Sequence, residues 1–87
     1  MVKVSLPRQF MTYTDLIGDF ESQGTTIQSV LDELVDTYPF LKSQLYNNDR
    51  TLRNFVNLFV NEQMAVDLSA SIPSCSRIQI IVAVAGG

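Results

Sequence analysis

Histidine and tryptophan are both absent from the 87 residues, and cysteine occurs once, as Cys75. Each absence excludes something. Without histidine the chain lacks the side chain that most readily exchanges a proton near neutral pH, and also the commonest metal ligand. No Ser/His/Asp or Cys/His set can be assembled from it, and no metal site is expected. A single cysteine forms no internal disulfide. Basic residues are few: six Lys and Arg stand against nine Asp and Glu, for a net charge of -3. They are scattered, with no stripe to neutralise phosphates, so nucleic acid is not an expected partner. No apolar run approaches the roughly 20 residues that cross a bilayer, so no membrane association is expected. Met1 to Pro7 is too short and too alternating for a secretory leader. A reducing cytoplasm is the expected location.

What is present is a hydrophobic fraction of 46%, ordinary for a folded protein. A chain this short has room for one core, so residues 1–87 are expected to form one domain. Val2, Val4 and Leu6 alternate with Lys3 and Ser5, the period of a half-buried strand, which Pro7 stops. Arg8 to Thr14 resembles a loop or wide turn. Asp15 to Ser22 is a weaker strand candidate, with Leu16 and Phe20 on one face and Gly18 marking a bulge or close packing. Ile27, Val30, Leu31, Leu34, Val35 and Tyr38 then form one apolar stripe at helical spacing, opposite Gln28, Ser29, Asp32, Glu33 and Asp36. Thr25 with Gln28 fits a capping box, and Thr26 is the rival cap. Pro39 ends this helix and opens a short second one over Phe40 to Tyr46. Asn47 to Arg50 is a turn cluster.

Phe55 to Val60 is a strand with Val56, Leu58 and Val60 on one face. Asn61-Glu62-Gln63 turns the chain into Met64-Ala65-Val66. Asp67 to Arg77 is mostly loop, and Ile78 to Ala83 is the final strand, with Ile78, Ile80 and Val82 opposed to Gln79, Ile81 and Ala83. One amphipathic helix needs one sheet face to cover it, so the spacing predicts an α+β domain of two layers. Its first and last strands are suited to parallel pairing at the centre, because a crossover separates them.

The ending Ala83-Val84-Ala85-Gly86-Gly87, directly after an apolar strand, resembles the ThiS/MoaD family of ubiquitin-like sulfur carriers, in particular the small carriers ending in AVAGG. Thr26 to Leu34, followed by Tyr38-Pro39, is similar to the family's helix, and Leu52 to Asn61 to its third strand and turn. The match runs in order along nearly the whole chain. Two departures stand out: Glu62 where the family usually has glycine, and Pro73-Ser74-Cys75-Ser76-Arg77 in place of an Asp-Gly-Asp turn. The resemblance implies a β-grasp, or ubiquitin-like, roll: a mixed sheet of four to five strands on one main helix.

It also implies a function that is not itself enzymatic. An E1-like adenylyltransferase/sulfurtransferase would adenylate the Gly87 carboxylate with ATP, and sulfur would replace AMP to give a thiocarboxylate for a sulfur-accepting biosynthetic enzyme. No cofactor would be bound by the carrier; ATP and the sulfur source belong to the partner. Gly86 and Ala85 would give the terminus access to a narrow cleft, since glycine has no Cβ. Residues 84–87 are expected to form a flexible tail reaching on the order of 13 Å at the 3.3–3.6 Å per residue of extended chain. Phe59 and Ile81, on the strand faces opposite the core, are candidate docking residues, whereas Phe55 is expected to be covered. Arg53 and Arg77 are cations that an acidic partner surface would meet, and each is also accounted for as an ordinary solvated charge. Cys75 reads as a spectator thiol, and Asp32, Glu33 and Asp36 as a solvated helix face. Two other functions use the same body: a modifier joined to lysine amines through the same terminus, and an interaction module with an inert tail.

Overall fold

The computed structural model describes residues 1–83. Along the chain its elements are β1 (Val2–Ser5), α1 (Arg8–Met11), β2 (Phe20–Ser22), α2 (Ile27–Thr37), α3 (Phe40–Leu45), β3 (Val56–Val60), β4 (Gln63–Ala65) and β5 (Arg77–Val82). The strands form one sheet in the order β2-β1-β5-β3-β4. β1 and β5 run parallel at its centre, with Val4 opposite Ile78, and the other pairings are antiparallel. This is the β-grasp arrangement expected from the resemblance.

Period-two alternation sends Val2, Val4, Val56, Leu58, Ile78 and Ile80 to one face of the sheet, where all are buried. The α2 stripe of Ile27, Val30, Leu31 and Leu34 closes over them, joined by Leu41 and Leu45 of α3, in a single cluster. Each such side chain contributes about 1.5–3 kcal/mol on full burial. Val35 and Tyr38, the outer members of the stripe, pack on its rim.

The start of α2 differs from the expected Thr25–Gln28 box. Thr26 is the cap: its Oγ1 accepts from the Ser29 amide at 3.1 Å, and Ser29 Oγ accepts in return from the Thr26 amide at 3.0 Å. A serine thus fills the place usually held by Glu or Gln. Gln28 points elsewhere, donating to Asp32 Oδ1 at 2.9 Å. The amides of Ile27 and Gln28, which a helix cannot satisfy itself, donate to the carbonyls of Ala70 and Leu68 at 3.3 and 2.7 Å. The long connection before β5 is therefore stitched to the helix start. At the other end Tyr38 leaves helical geometry (φ -128°, ψ 82°) and Pro39 begins α3, as the proline rule requires.

Arg8 to Thr14 contains a turn, as expected, and it is helical: Pro7 accepts from the amides of Phe10 and Met11, and the resulting α1 buries Phe10. Two expectations fail before β2. The strand expected from Asp15 shrinks to Phe20–Ser22, because Thr14 Oγ1 captures the Leu16 amide at 3.1 Å in a local turn. Gly18 has no close neighbour; a Cβ there would meet nothing within 4 Å. The packed glycine is Gly24, where a Cβ would stand 2.6 Å from Ser29 Oγ and 2.9 Å from the Val30 backbone nitrogen.

The β3–β4 hairpin has a two-residue loop, Val60 pairing with Gln63. Both loop residues are left-handed, Asn61 at φ 49° and Glu62 at φ 73°, as the twist of a tight hairpin demands. Asparagine tolerates this conformation because its short side chain hydrogen-bonds nearby backbone, as Asn61 does with the Arg77 amide; glutamate meets the Cβ clash without that compensation. Glu62→Gly should therefore raise stability by about 0.5–1 kcal/mol and the melting midpoint by a few degrees. Thermal denaturation checks this, and a lowered midpoint would show that Glu62 is not strained.

Candidate functional site

The end of β5 is built differently from its start. β1 stops at Ser5, opposite Gln79, so from Ile80 onward the described pairing of β5 is with β3 alone. Ile80 opposes Leu58 and Val82 opposes Val56. One more bond follows: the Ala83 amide donates to the Phe55 carbonyl at 2.8 Å. The chain beyond Ala83 starts from this point, in the middle of the sheet and not at its edge. Ala85, Gly86 and Gly87, with the expected tail 84–87, lie outside the described residues.

Arg53 sits beside this point and is half-buried. Its backbone amide donates to the Leu45 carbonyl at 2.9 Å, and its Nη1 donates to the Ser43 carbonyl at 3.0 Å. Its guanidinium lies over the Phe55 ring, 5.2 Å from the centroid. Arg53 therefore ties α3 to the entry of β3, a role that its sequence position did not reveal. Among the described residues the one ion pair is Arg77 with Asp19, at 2.9 Å, so Arg53 has no carboxylate partner there and Arg77 is not simply solvated.

The sheet face away from the helices carries Ile81 opposite Asn57, and Phe59 between Met64 and Gln79. Ile81 is exposed and Phe59 is half-buried. Met64 is 60% exposed and stands directly opposite Phe59. Sequence alternation missed Met64 because β4 is only three residues long, too short to display a period. Phe55, expected to be covered, is exposed at 38%. The structure thus brings Phe59, Met64 and Ile81 onto one outer face and places Arg53 and Phe55 at the end where β5 finishes.

The ThiS family sequence model matches residues 4–87. The chain belongs to the ThiS family.

A chain of the Amycolatopsis orientalis BexX/CysO complex is 28% identical to this ThiS-family protein over 100% of both chains, with a TM-score of 0.86. Mycobacterium tuberculosis CysO is 25% identical, over 97% of this chain and 100% of its own, with a TM-score of 0.84. Small archaeal modifier protein 1 of Haloferax volcanii (SAMP1) has the same fold at 22% identity and a TM-score of 0.82, over 99% of this chain and 98% of that one. Among curated proteins none matches the chain in sequence.

Elsewhere on the ThiS-family body the polar groups have local partners. Glu33 accepts from Ser22 Oγ at 3.0 Å and Asp32 from Gln28, so neither is aimed at a shared ligand. An open groove of about 560 Å³ runs between α2 and α3, with Asp32 and Asp36 facing Lys42 and Arg50 across it. The Tyr38 phenol is raised above its ordinary value, first by its hydrogen bond to Asp15, and the Tyr46 phenol is raised chiefly by burial. The carboxyls of Asp49 and Asp67 are lowered by hydrogen bonds from Thr51 and Ser69. All four shifts run away from neutral pH, so none of these groups is poised there as an acid or base. Cys75 is exposed, in a left-handed turn position at φ 64°. No described helix is long and apolar enough to cross a membrane.

The tie made by Arg53 is testable. Arg53→Ala removes a charge-assisted bond to a carbonyl and a stacked contact, and should lower stability by about 1–2 kcal/mol. Urea denaturation measures it; an unchanged midpoint would show that the tie contributes nothing to the fold.

Proposed function

We propose that this ThiS-family protein is a cytoplasmic sulfur carrier that holds sulfur on the carboxylate of Gly87. The observation that supports this most is positional. The segment Ala83-Val84-Ala85-Gly86-Gly87 directly continues the central strand of a β-grasp body, past the last β5 bond to Phe55. The likeness to a chain of the BexX/CysO complex, over the whole of both chains, supports it further.

In the proposed cycle an oxygen of the Gly87 carboxylate attacks the α-phosphorus of ATP within an E1-like partner, and pyrophosphate leaves. The acyl adenylate that results has a good leaving group, which a free carboxylate lacks. A sulfur nucleophile attacks the carbonyl carbon, AMP departs with the electrons of the broken C–O bond, and a thiocarboxylate remains. Its sulfur then attacks an electrophile in a biosynthetic enzyme. Gly86 and Ala85 keep the approach narrow, and Gly87 leaves the carbonyl carbon unhindered. The carrier body supplies recognition; ATP, sulfur and acid–base groups come from the partners.

Recognition is assigned to the outer sheet face. Phe59, Met64 and Ile81 form an apolar patch opposite the helices, the kind of surface that marks a docking site. Conjugation to a lysine amine would use the same activated carboxylate and differ only in the nucleophile, as the name of the archaeal modifier with the same fold suggests for that protein.

Incubation with an E1-like adenylating enzyme of the source organism, ATP and sulfide should raise the intact mass by about 16 Da, oxygen exchanged for sulfur at the functional site. Deleting Gly87 should abolish the gain. No mass change in the intact protein, or amide-linked adducts alone, would overturn the carrier assignment. Replacing the two exposed members of the patch together, Met64→Asp with Ile81→Asp, should raise the KM of the activating enzyme for the carrier by on the order of tenfold while the melting midpoint holds, as loss of a docking hot spot does. An unchanged KM would clear the sheet face of this role.

A further inference from the structure

The described surface carries a second group of exposed aromatics, away from the outer sheet face. Tyr13, in the turn after α1, stacks on Phe40, the first residue of α3, with ring centroids 6.2 Å apart and planes 26° from parallel. Both remain open to solvent, Phe40 at 72% and Tyr13 at 46%. A stacked pair that the domain leaves uncovered is unlike a lone surface aromatic, which needs no explanation.

A chain of direct contacts leads from this pair to the end of β5. Ser43 Oγ donates to the Phe40 carbonyl at 3.0 Å, and the Ser43 carbonyl accepts from Arg53 Nη1 at 3.0 Å. Arg53 lies over Phe55, and the Phe55 carbonyl accepts from Ala83. Tyr13, Phe40, Ser43, Arg53 and Phe55 therefore form a band around one pole of the domain, and Ala83 lies at its end. The topology places them there for a simple reason. β1 and β5 are parallel, so the turn that follows β1 and the residues that follow β5 belong to the same pole.

We infer that this band is a docking collar for the mouth of the activating enzyme's cleft, so that the interface wraps from the outer sheet face round the pole onto α3 and the turn after α1. The inference rests on the carrier function proposed above. Two observations commit the collar to that occupant. Residues 84–87, even at full extension, span on the order of 13 Å. An enzyme whose reacting centre meets Gly87 must then bring its own surface against the pole around Ala83. A standard interface covers about 800 Å² per partner, a disc of radius roughly 16 Å, which reaches well beyond Phe55 along the band. The second observation is charge. Arg53 carries a guanidinium with no carboxylate partner among the described residues, lying over the exposed Phe55 ring. The matching surface is an apolar or aromatic ledge bearing a carboxylate.

The collar is tested with the full chain and the same E1-like enzyme, ATP and sulfide, reading both intact mass and the steady-state rate of carrier-dependent AMP formation. The double variant Tyr13→Ser with Phe40→Ser should raise KM for the carrier by about tenfold with kcat nearly unchanged, because the contact serves binding before and during reaction alike. Phe40→Asp alone should do at least as much. Cys75→Ser is the control: Cys75 precedes β5 and so lies at the opposite pole, and its KM should match the wild type. Circular dichroism melting should give the same fold for all variants, since the replaced rings are exposed. Wild-type loading with an unchanged KM in both collar variants would overturn the collar while leaving the carrier function standing. Failure of the wild type to load would overturn both. Self-association of the wild type that Phe40→Asp abolishes, with KM unchanged, would give the pair to a second copy of the chain and overturn its assignment to the enzyme.

Discussion

The parallel pairing of β1 with β5 is the interaction on which the rest of the molecule depends. It joins the two ends of the described chain, Val4 against Ile78, across all the elements between them. Such a contact is costly to form, because a long loop of chain must be ordered before it is rewarded. The reward comes from α2. Its stripe of Val30, Leu31 and Leu34 closes over Val4, Ile78 and Ile80, and all six are within 3% of complete burial. Helix and strand pair are thus mutually dependent, with Leu41 and Leu45 of α3 completing the same core. The long connection before β5 takes part as well, since its carbonyls satisfy the first amides of α2.

How much of this was legible follows from how far each signal extends along the chain. The α2 stripe runs over three turns, and its periodicity named the buried residues correctly. The strands β3 and β5 are five and six residues long, enough to show which side chains alternate inward. β4 and α1 have three and four residues, less than the length that displays a period, so Met64 and Phe10 were not assigned their places. Thr26 ranked only as the rival cap because a serine, Ser29, completes its box, and the usual signature asks for Glu or Gln. Gly18 and Gly24 were indistinguishable as letters; only the neighbouring helix start makes one of them tight. Arg53 was seen as a surface cation because its partner, the Ser43 carbonyl, is a backbone atom that no side-chain pattern reports. The assignment of the terminus rests on the resemblance alone, since Gly86 and Gly87 have no periodicity of their own.

The separation between body and terminus gives the molecule its division of labour. Two of its carboxylates are engaged in turns, Asp49 with Thr51 and Asp67 with Ser69. They hold loops in shape. Two groups of apolar side chains at the surface are clustered: Phe59, Met64 and Ile81 on the outer sheet face, and Tyr13, Phe40 and Phe55 around the pole where β5 ends; Ile17 and Val66, also exposed, stand apart from both.

Asn61 has a consequence that concerns length. Its side chain accepts from the Arg77 amide at 3.0 Å and donates to Ser76 Oγ at 3.3 Å, while its own amide donates to the Arg77 carbonyl at 2.9 Å. One hairpin residue therefore pins the entry of β5, and with it the register of the central strand. A slip of one residue would turn Ile78 and Ile80 out of the core and displace everything after β5 by about 3.3 Å. Asn61 is in effect the zero mark of a ruler. Loop lengths before that mark, in the connection from Val66 to Cys75, are free to drift as long as the stitches to α2 survive. After it, one residue added or deleted within β5 would shift the pairing of Ile78 and Ile80 with β1 and β3.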